Sequence, residues 1–573
     1  MTFVSKGGES SSYTYDGSLL LTDTRAGTMN ALIDYTYNSD LQIDSIGYAD
    51  ASESFLYDND GLLTDAGAYS ITRDAANGLP ESVTDSTVTQ GRDFSSYGEV
   101  DGIDYTVGAT APYSWSVVRD NAGRITQKVE NIGVDSVTWD YTYDLMGRLE
   151  TVYKDNALAE AYIYDDQGNR LEEINVLRGV ARTYTYDDED KIVYAGLDIY
   201  TYNLDGFLSS RSISSGAFSG AATFDYSSRG ELLSAILPDS TVISYDHDPM
   251  GRRVAKRING TITEKYLWQS ATTLLAVYDG SDNLLQRFEY SDGRMPVAMT
   301  AGGAVYYLTY DQVGSLRAVF DSVGTEIKRV NYDSFGNILS DSNPSFTVPF
   351  GFAGGLHDRD TGLVRFGARD YDPAVGRWTA KDPIDFGGGD LNLLSYTDQD
   401  PVNWVDNTGR GPLPEYESNY YNYRPWFQSA DMAAQMTAEW ATGTGPDFRM
   451  FGPGTPEVGN MMNAPGVERA RDYFHNKNKG NCPSDLEGVS NFAAGFGLKG
   501  FVQAGLDPTE QFVGSYRVDI LPNSNGTKTI VLTNNTSMTS ATYGLLPSAS
   551  RNPLFQEFGT TTQHYIWTEP VAR

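Results

Sequence analysis

The chain has 573 residues, with 42 Lys and Arg against 76 Asp and Glu, giving a formal charge of −34. A single cysteine excludes a disulfide scaffold and a CxxC zinc module. The acidity argues against a shell that binds nucleic acid, because phosphate recognition needs a basic face. No apolar run reaches the roughly 18 residues of a transmembrane helix, so none is expected.

The charge is unevenly distributed along the chain. Residues 411–573 carry a net charge of −4, whereas residues 1–410 carry −30. The acidity therefore belongs to residues 1–410.

Residues 1–345 contain a degenerate repeat. Two aromatics flank one residue, and Asp or Asn, a short linker that often contains Gly, and an aliphatic residue follow. Examples are YTYDGSLL from Tyr13, YTYNSDLQI from Tyr35, FLYDNDGLL from Phe55, YTYDLMGRLETV from Tyr141 and YIYDDQGNRLEEI from Tyr162. The second aromatics Tyr143, Tyr164 and Tyr186 are 21 and 22 residues apart.

This unit predicts a β-hairpin. The alternation places both aromatic rings on one face of a strand, and Asp or Asn with Gly forms the turn. Aromatics on neighbouring hairpins then stabilise the sheet through cross-strand contacts. We therefore interpret the tyrosines as packing residues and the aspartates as turn formers.

The Y-x-Y-D-x-x-G-R-L unit resembles the YD repeat of the RHS/YD-repeat proteins. The resemblance implies a mainly β fold, in which residues 1–345 form hairpins that wind into a spiral or partial β-shell. It also implies a bacterial protein that is secreted or exposed on the cell surface, with its export signal outside this chain.

Residues 346–410 contain TGLVRFGARDYDPAVGRWTAKDP, which resembles the signature of the RHS repeat-associated core. In toxin members of the family the core plugs the shell and acts as an intramolecular aspartyl protease. The motif positions fall on Arg369, Asp382 and Asp406, and the resemblance implies cleavage between Arg410 and Gly411.

Two nearby carboxylates suit this chemistry, because one can keep a proton while the other activates water, and Arg369 would hold them by charge-assisted hydrogen bonds. The sequence departs from the family at Asn407, where Pro is expected, and at Arg410, where Leu is expected. Arg410 places a charge at a site expected to be partly buried. The alternative is that Asp382 and Asp406 are turn carboxylates paired with Arg369 and Arg377, without hydrolysis.

Residues 411–573 follow the core and occupy the position of the variable effector in polymorphic toxins. The patterns predict a small mixed α/β domain, with helices over 431–441 and 464–478 and a hairpin around 525–526. An immunity protein is the partner that such an effector implies.

The activity of this tail stays open between several classes. An ADP-ribosyltransferase-like site would use Arg517 to bind the phosphates of the cofactor and Glu557 or Glu569 to stabilise the oxocarbenium ion. A hydrolase would use His475 or His564. A third alternative is a cell-surface structural or adhesion protein with a non-catalytic tail. No cofactor or metal is predicted for the shell and core.

The area of the sheet limits what the shell can enclose. A strand residue covers about 16 Å², so residues 1–410 supply roughly 6,500 Å² of sheet, whereas enclosing a folded tail needs about 7,900 Å². Closure would require a shell-closing partner or further N-terminal repeats.

Overall fold

The computed structural model describes residues 2–388, 390, 392–414, 448–451, 471, 474, 477, 489–494, 516–522, 527–536 and 561–570. These residues fall into two compact units, one of residues 1–386 and 390–422, the other of residues 387–389 and 423–573.

The first unit contains a 33-stranded sheet in which every strand pairs antiparallel with the next along the chain. The strands are β1 (Thr2–Lys6), β2 (Glu9–Asp16), β3 (Leu19–Ala26), β4 (Ala31–Tyr37), β5 (Ile43–Tyr48), β6 (Ala51–Tyr57), β7 (Leu63–Ala66), β8 (Tyr69–Arg73), β9 (Pro80–Thr84), β10 (Val88–Phe94), β11 (Val100–Val107), β12 (Thr110–Arg119), β13 (Ile125–Ile132), β14 (Asp135–Tyr143), β15 (Leu149–Lys154), β16 (Ala157–Tyr164), β17 (Arg170–Asn175), β18 (Val180–Tyr186), β19 (Ile192–Ala195), β20 (Asp198–Tyr202), β21 (Leu208–Ile213), β22 (Gly220–Tyr226), β23 (Leu232–Ile236), β24 (Val242–His247), β25 (Arg253–Ile258), β26 (Thr261–Trp268), β27 (Leu274–Tyr278), β28 (Leu284–Glu289), β29 (Ala298–Ala301), β30 (Ala304–Tyr310), β31 (Leu316–Phe320), β32 (Glu326–Tyr332) and β33 (Ile338–Asp341).

The predicted repeats are hairpins, and most of their turns share one construction. In the hairpin of β14 and β15, the register shifts just before Tyr143, which is a β-bulge. Oδ1 of Asp144 then accepts the backbone N–H groups of Met146 and Arg148 at 2.9 and 3.0 Å. Gly147 has φ +87°, which glycine adopts without strain. We call this construction the YD turn.

The two aromatics of a repeat have different roles. The first is buried in the core, as at Tyr141, Tyr162 and Tyr184. In six repeats the hydroxyl of the second donates to a backbone carbonyl at the start of the preceding repeat's return strand. We call these contacts the tyrosine ladder; they are Tyr37 to Leu20, Tyr57 to Ile43, Tyr143 to Ile125, Tyr164 to Leu149, Tyr186 to Arg170 and Tyr290 to Leu274.

Other donors replace tyrosine in three irregular repeats. Nη2 of Arg73 donates to the carbonyl of Leu63 at 3.1 Å, and Nη2 of Arg119 donates to that of Val100 at 3.1 Å. Nε1 of Trp268 donates to the carbonyl of Arg253 at 2.7 Å. In these three repeats a long side chain with a terminal donor thus makes the contact that tyrosine makes elsewhere.

The tyrosine ladder makes a testable contribution to stability. Tyr164→Phe removes the 2.9 Å hydrogen bond to Leu149, so we expect it to lower the free energy of unfolding by about 1 kcal/mol. The matched control is Tyr97→Phe, because Tyr97 is 90% exposed. Urea denaturation of both variants checks this, and equal midpoints would contradict a structural role for the ladder.

The sheet winds back on itself. Side chains of the first winding (β1–β17) contact residues of the second (β22–β33), although they are far apart in sequence. The pairs are Lys6 with Glu231 at 2.7 Å, Arg92 with Asp292 at 2.7 Å, Glu130 with Arg317 at 2.8 Å and Asn175 with Asp333 at 2.9 Å. One hydrophobic cluster includes buried residues of both windings, such as Tyr105 and Phe288. This confirms the predicted spiral of YD hairpins.

The core block, residues 346–410, belongs to the same compact unit. Its strands are β34 (Leu356–His357), β35 (Val364–Phe366), β36 (Arg369–Asp372), β37 (Arg377–Trp378) and β38 (Trp404–Val405), with 3₁₀ segments at Phe352–Gly354, Asp385–Gly388 and Thr397–Gln399. β38 pairs antiparallel with β39 (Leu413–Pro414).

Buried ion pairs attach the core block to the sheet. Asp370 pairs with Arg253 of β25 and Asp372 with Arg211 of β21, at 2.8 and 2.7 Å. Arg377 donates to Oδ1 of Asn169 at 2.8 Å. Since removing one partner of such a pair leaves a buried charge, these contacts fix where the block sits on the sheet.

The second unit contains a five-stranded sheet in the order β40, β44, β43, β42, β41. These strands are β40 (Phe448–Phe451), β41 (Val489–Ala494), β42 (Tyr516–Pro522), β43 (Thr527–Thr536) and β44 (Thr561–Pro570). β42 and β43 pair antiparallel, as the predicted hairpin requires. Arg471, Phe474 and Lys477 are helical, whereas the helix predicted over 431–441 lies outside the described residues.

Candidate functional site

The candidate site is built around Asp406, which directly follows β38 and is 1% exposed. Its Oδ1 accepts the backbone N–H of Arg410 and its Oδ2 the backbone N–H of Gly411, both at 3.0 Å. The hydroxyl of Thr408 also donates to Oδ1, at 3.2 Å. The carboxylate thus bridges the two residues between which the sequence predicts cleavage.

Arg369 lies between the two predicted carboxylates. Its Nη2 is 2.9 Å from Oδ2 of Asp406 and 2.8 Å from Oδ2 of Asp382. The guanidinium carbon lies 4.1 Å from the ring centroid of Trp378, and Nη1 donates to the carbonyl of Leu393 at 3.2 Å. Stacking on tryptophan and a carbonyl contact hold the guanidinium in place.

Asp382 is the third residue of the candidate site, and its side chain has fewer contacts than that of Asp406. Its Oδ1 accepts the backbone N–H of Ile384 at 2.9 Å, and its ion pair with Arg369 is its other strong contact within the described core block. The structure therefore brings Arg369, Asp382 and Asp406 together, although they lie on three separate segments.

Burial dominates the electrostatics of the two carboxyls. It raises the pKa of Asp406 above its usual range, against the opposing effect of Arg369 and of the two backbone N–H groups. Burial also raises the pKa of Asp382, and the nearby charge of Asp406 raises it further. One guanidinium shared by two buried carboxyls favours retention of a proton by one of them.

The two departures from the family pattern have different surroundings. Arg410 is exposed, so its charge is not buried, and the expectation of a partly buried charge at this position is wrong. Asn407 is 7% exposed, and its Oδ1 has no hydrogen-bond partner among the described residues. Proline in its place would remove that polar atom.

The alternative pairing with Arg377 is also wrong. Arg377 donates to Oδ1 of Asn169, to the carbonyl of Asp190 and to Oδ1 of Asn392, at 2.7 to 2.8 Å. It is thus directed at the sheet, and Arg369 alone is ion-paired with Asp382 and Asp406 within the described part of the core.

Sequence reasoning missed the residues that support the site. Trp378 and Thr408 lie within the core block, but their types suggest no catalytic role. Gly409 has φ +65°, and a Cβ there would lie 2.5 Å from the carbonyl oxygen of Phe366 and 2.8 Å from the nitrogen of Arg369. Because glycine has no Cβ, the loop of residues 406–411 can pack closely against β35 and β36 at this position.

The tail candidates for transferase chemistry are not brought together. Arg517 on β42 is in register with Thr533, which is in register with His564 on β44. Glu569 lies five residues further along β44, so the backbones of Arg517 and Glu569 are about 20 Å apart. Glu557 and His475 lie outside the described residues.

The described residues contain no cluster of three or more acidic, His or Cys side chains that could hold a metal ion. Among the same residues, no helix is long and apolar enough to cross a membrane. The tail activities and their cofactors therefore rest on the sequence alone.

Comparisons with known proteins agree with the fold. A family described as Teneurin YD-shell matches residues 2–388. Teneurin-3 of Danio rerio is 30% identical over 403 residues, which cover 66% of this chain and 14% of that protein. Teneurin-4 of Homo sapiens is 29% identical over 374 residues, covering 63% and 13%. The chain thus spans about a seventh of the length of these relatives.

Two solved structures also match part of this chain. A Tc holotoxin pore of Photorhabdus luminescens matches 70% of this chain and 21% of its own, with a TM-score of 0.48 and 16% identity. The crystal structure of TcdB2-TccC3-TEV covers the same shares, with a TM-score of 0.46 and 16% identity. The family match covers the repeats and most of the core block, so this chain is an RHS/YD-repeat shell protein and belongs to the Teneurin YD-shell family.

Proposed function

We propose that this shell protein carries a C-terminal effector and releases it by hydrolysing its own peptide bond between Arg410 and Gly411. The observation that carries the proposal is the position of Asp406, whose two carboxylate oxygens each accept one of the N–H groups of these two residues at 3.0 Å. A catalytic carboxyl must lie within hydrogen-bonding reach of the groups it serves.

The contacts suggest a division of roles between the carboxyls. Asp406 accepts four donors, namely Arg369, Thr408 and two backbone N–H groups, and such donors favour its ionised form. Asp382 has two strong contacts, so it is the better carrier of the shared proton. Asp406 would activate water as the base, and Asp382 would act as the acid.

The proposed reaction consumes one water molecule. Asp406 takes a proton from water as the water oxygen bonds to the carbonyl carbon of Arg410, and Asp382 donates its proton to the carbonyl oxygen. The C–N bond then breaks, and Asp406 returns its proton to the nitrogen of Gly411, 3.0 Å from Oδ2. The regenerated carbonyl returns a proton to Asp382, which leaves a carboxyl on Arg410 and an amine on Gly411.

Denaturing mass spectrometry of the purified full chain tests this function. We expect two fragments that meet between Arg410 and Gly411, and Asp406→Asn should give only the intact mass. Asp372→Asn is the matched control, because Asp372 is equally buried and is ion-paired with Arg211 at 2.7 Å. A single intact mass for the unaltered chain, after days in acidic, neutral and alkaline buffers, would refute self-cleavage.

The proposal extends to partners and location. An effector of residues 411–573 implies an immunity protein in the producing cell, and secretion or surface exposure by a bacterium. The limited area of sheet implies a shell-closing partner or further N-terminal repeats. Toxicity of residues 411–573 when expressed in bacterial or eukaryotic cells would support the effector, and Arg517→Ala would test transferase chemistry.

The second candidate is a cell-surface structural or adhesion protein with a permanently attached tail. The match to the Teneurin YD-shell family favours this second candidate. That match ends at residue 388, so it leaves out Asp406 and Arg410. An uncleaved chain with a tail that is not toxic would support this alternative.

A further inference from the structure

We infer that the site holds its own product: after cleavage, the new ammonium group of Gly411 stays ion-paired with Asp406. The inference rests on the proposed cleavage. Oδ2 of Asp406 already lies 3.0 Å from the nitrogen of Gly411, the atom that becomes the new N-terminus. No movement is required to convert this hydrogen bond into an ion pair.

Charge favours the retained end. Before cleavage, two buried carboxyls share one guanidinium, and burial is the largest cause that raises the pKa of both. The ammonium of Gly411 places a positive charge beside the ionised Asp406, and the carboxylate formed in the same step lies on the exposed residue Arg410. A charge-assisted contact of this kind is about twice as strong as a neutral hydrogen bond.

Both sides of the cut are anchored independently of the bond that breaks. On the downstream side, Leu413 and Pro414 of β39 pair with Val405 and Trp404 of β38. On the upstream side, the N–H of Ala368 donates to the carbonyl of Thr408 at 2.9 Å. Because Val405 is fully buried, the strand that receives residues 413 and 414 is fixed in the core.

This arrangement explains how cleavage and release become separate events. Hydrolysis removes the covalent link, whereas departure of the tail also requires loss of the ion pair and of the β38–β39 pairing. The product occupies the position of the scissile bond, so the site acts once and then stays filled.

Selective labelling of the α-amine of Gly411 tests the inference on the full-length cleaved protein. Ion pairing raises the pKa of an α-amine above its usual 7.7–8.0, and one unit lowers the free amine at neutral pH about tenfold. We therefore expect reductive methylation of Gly411 at neutral pH to be about tenfold slower in the folded protein than in a free peptide beginning at Gly411. Full rates should return in guanidinium chloride.

The outcomes separate the two proposals. If no fragment beginning at Gly411 appears in denaturing mass spectrometry, the proposed cleavage fails. If the fragment forms but its α-amine reacts as fast as the free peptide, cleavage stands and retention at Asp406 is overturned. Leu413→Pro, which removes an N–H from β39, should accelerate labelling if it cleaves normally. If the Leu413→Pro variant does not fold, the labelling rate of the unaltered protein still tests the inference.

Discussion

Replacing Arg369 with methionine is expected to lower the free energy of unfolding by about 3–5 kcal/mol and to stop cleavage. The guanidinium is the cation that contacts both Asp382 and Asp406, at 2.8 and 2.9 Å. Without it, two buried carboxyls face each other, and both must be protonated or pay the cost of burying unpaired charge. The base of the proposed reaction is then lost.

Two controls separate the charge of Arg369 from its shape. Arg369→Lys retains a positive charge, but its single ammonium cannot reproduce the planar stacking on Trp378 at 4.1 Å. We expect it to recover part of the stability. Arg359→Met alters an exposed arginine of the same block and should change little. Urea denaturation and denaturing mass spectrometry measure the effects, and normal cleavage by Arg369→Met would exclude the assigned role.

The second large effect is a loss of stability through Glu160 as the pH rises from 4.5 to about 8. Its side chain accepts the hydroxyl of Tyr162 at 2.6 Å and the N–H of Ser334 at 3.1 Å. Burial, and then the negative charge of Asp333, raise the pKa of Glu160 to about 8. Its usual value is 4.5, so the folded protein binds a proton that the unfolded chain releases.

The sign of the pH dependence follows from this raised pKa. The stability that the folded protein gains by binding this proton is fully present below pH 4.5. It is lost as the pH rises towards 8. We expect the free energy of unfolding to fall by about 4 kcal/mol over this range, at 1.36 kcal/mol per unit. Glu160→Gln keeps a neutral acceptor for Tyr162 and Ser334 and should flatten the profile.

Urea denaturation at a series of pH values checks this expectation. Glu172→Gln is the matched control, because Glu172 is exposed on the adjacent strand β17 and should leave the profile unchanged. If the Glu160→Gln profile is as steep as that of the unaltered protein, another group controls the loss of stability between pH 4.5 and 8.

Much of the shell could be predicted from the repeats alone. The Y-x-Y-D pattern combines the alternation of a strand with the residue types of a turn. Because both are local features, each unit predicts a hairpin without tertiary information. The role of the second tyrosine was less visible. Its hydroxyl bonds to the preceding repeat, as Tyr164 does to Leu149, and Arg73 and Arg119 do the same without matching the pattern.

The candidate site was predictable to a smaller extent. The resemblance to the core signature selected Arg369, Asp382 and Asp406, and these side chains do meet. It gave no reason to expect Trp378 beneath the guanidinium, nor the exposure of Arg410. Contacts with aromatic faces and solvent depend on which segments pack together, and residue type alone does not carry that information.

The amino-acid composition of the chain has a physical meaning. The tyrosines, turn aspartates and glycines of residues 1–345 are determined by the sequence, because a hairpin forms from neighbouring residues. Only the tertiary structure decides that the second winding packs on the first, that Glu160 lies near Asp333, and that Arg369 joins Asp382 to Asp406. These contacts join residues whose separation along the chain is too long for any local pattern, and they form because burial and charge pairing become favourable only after the sheet has wound.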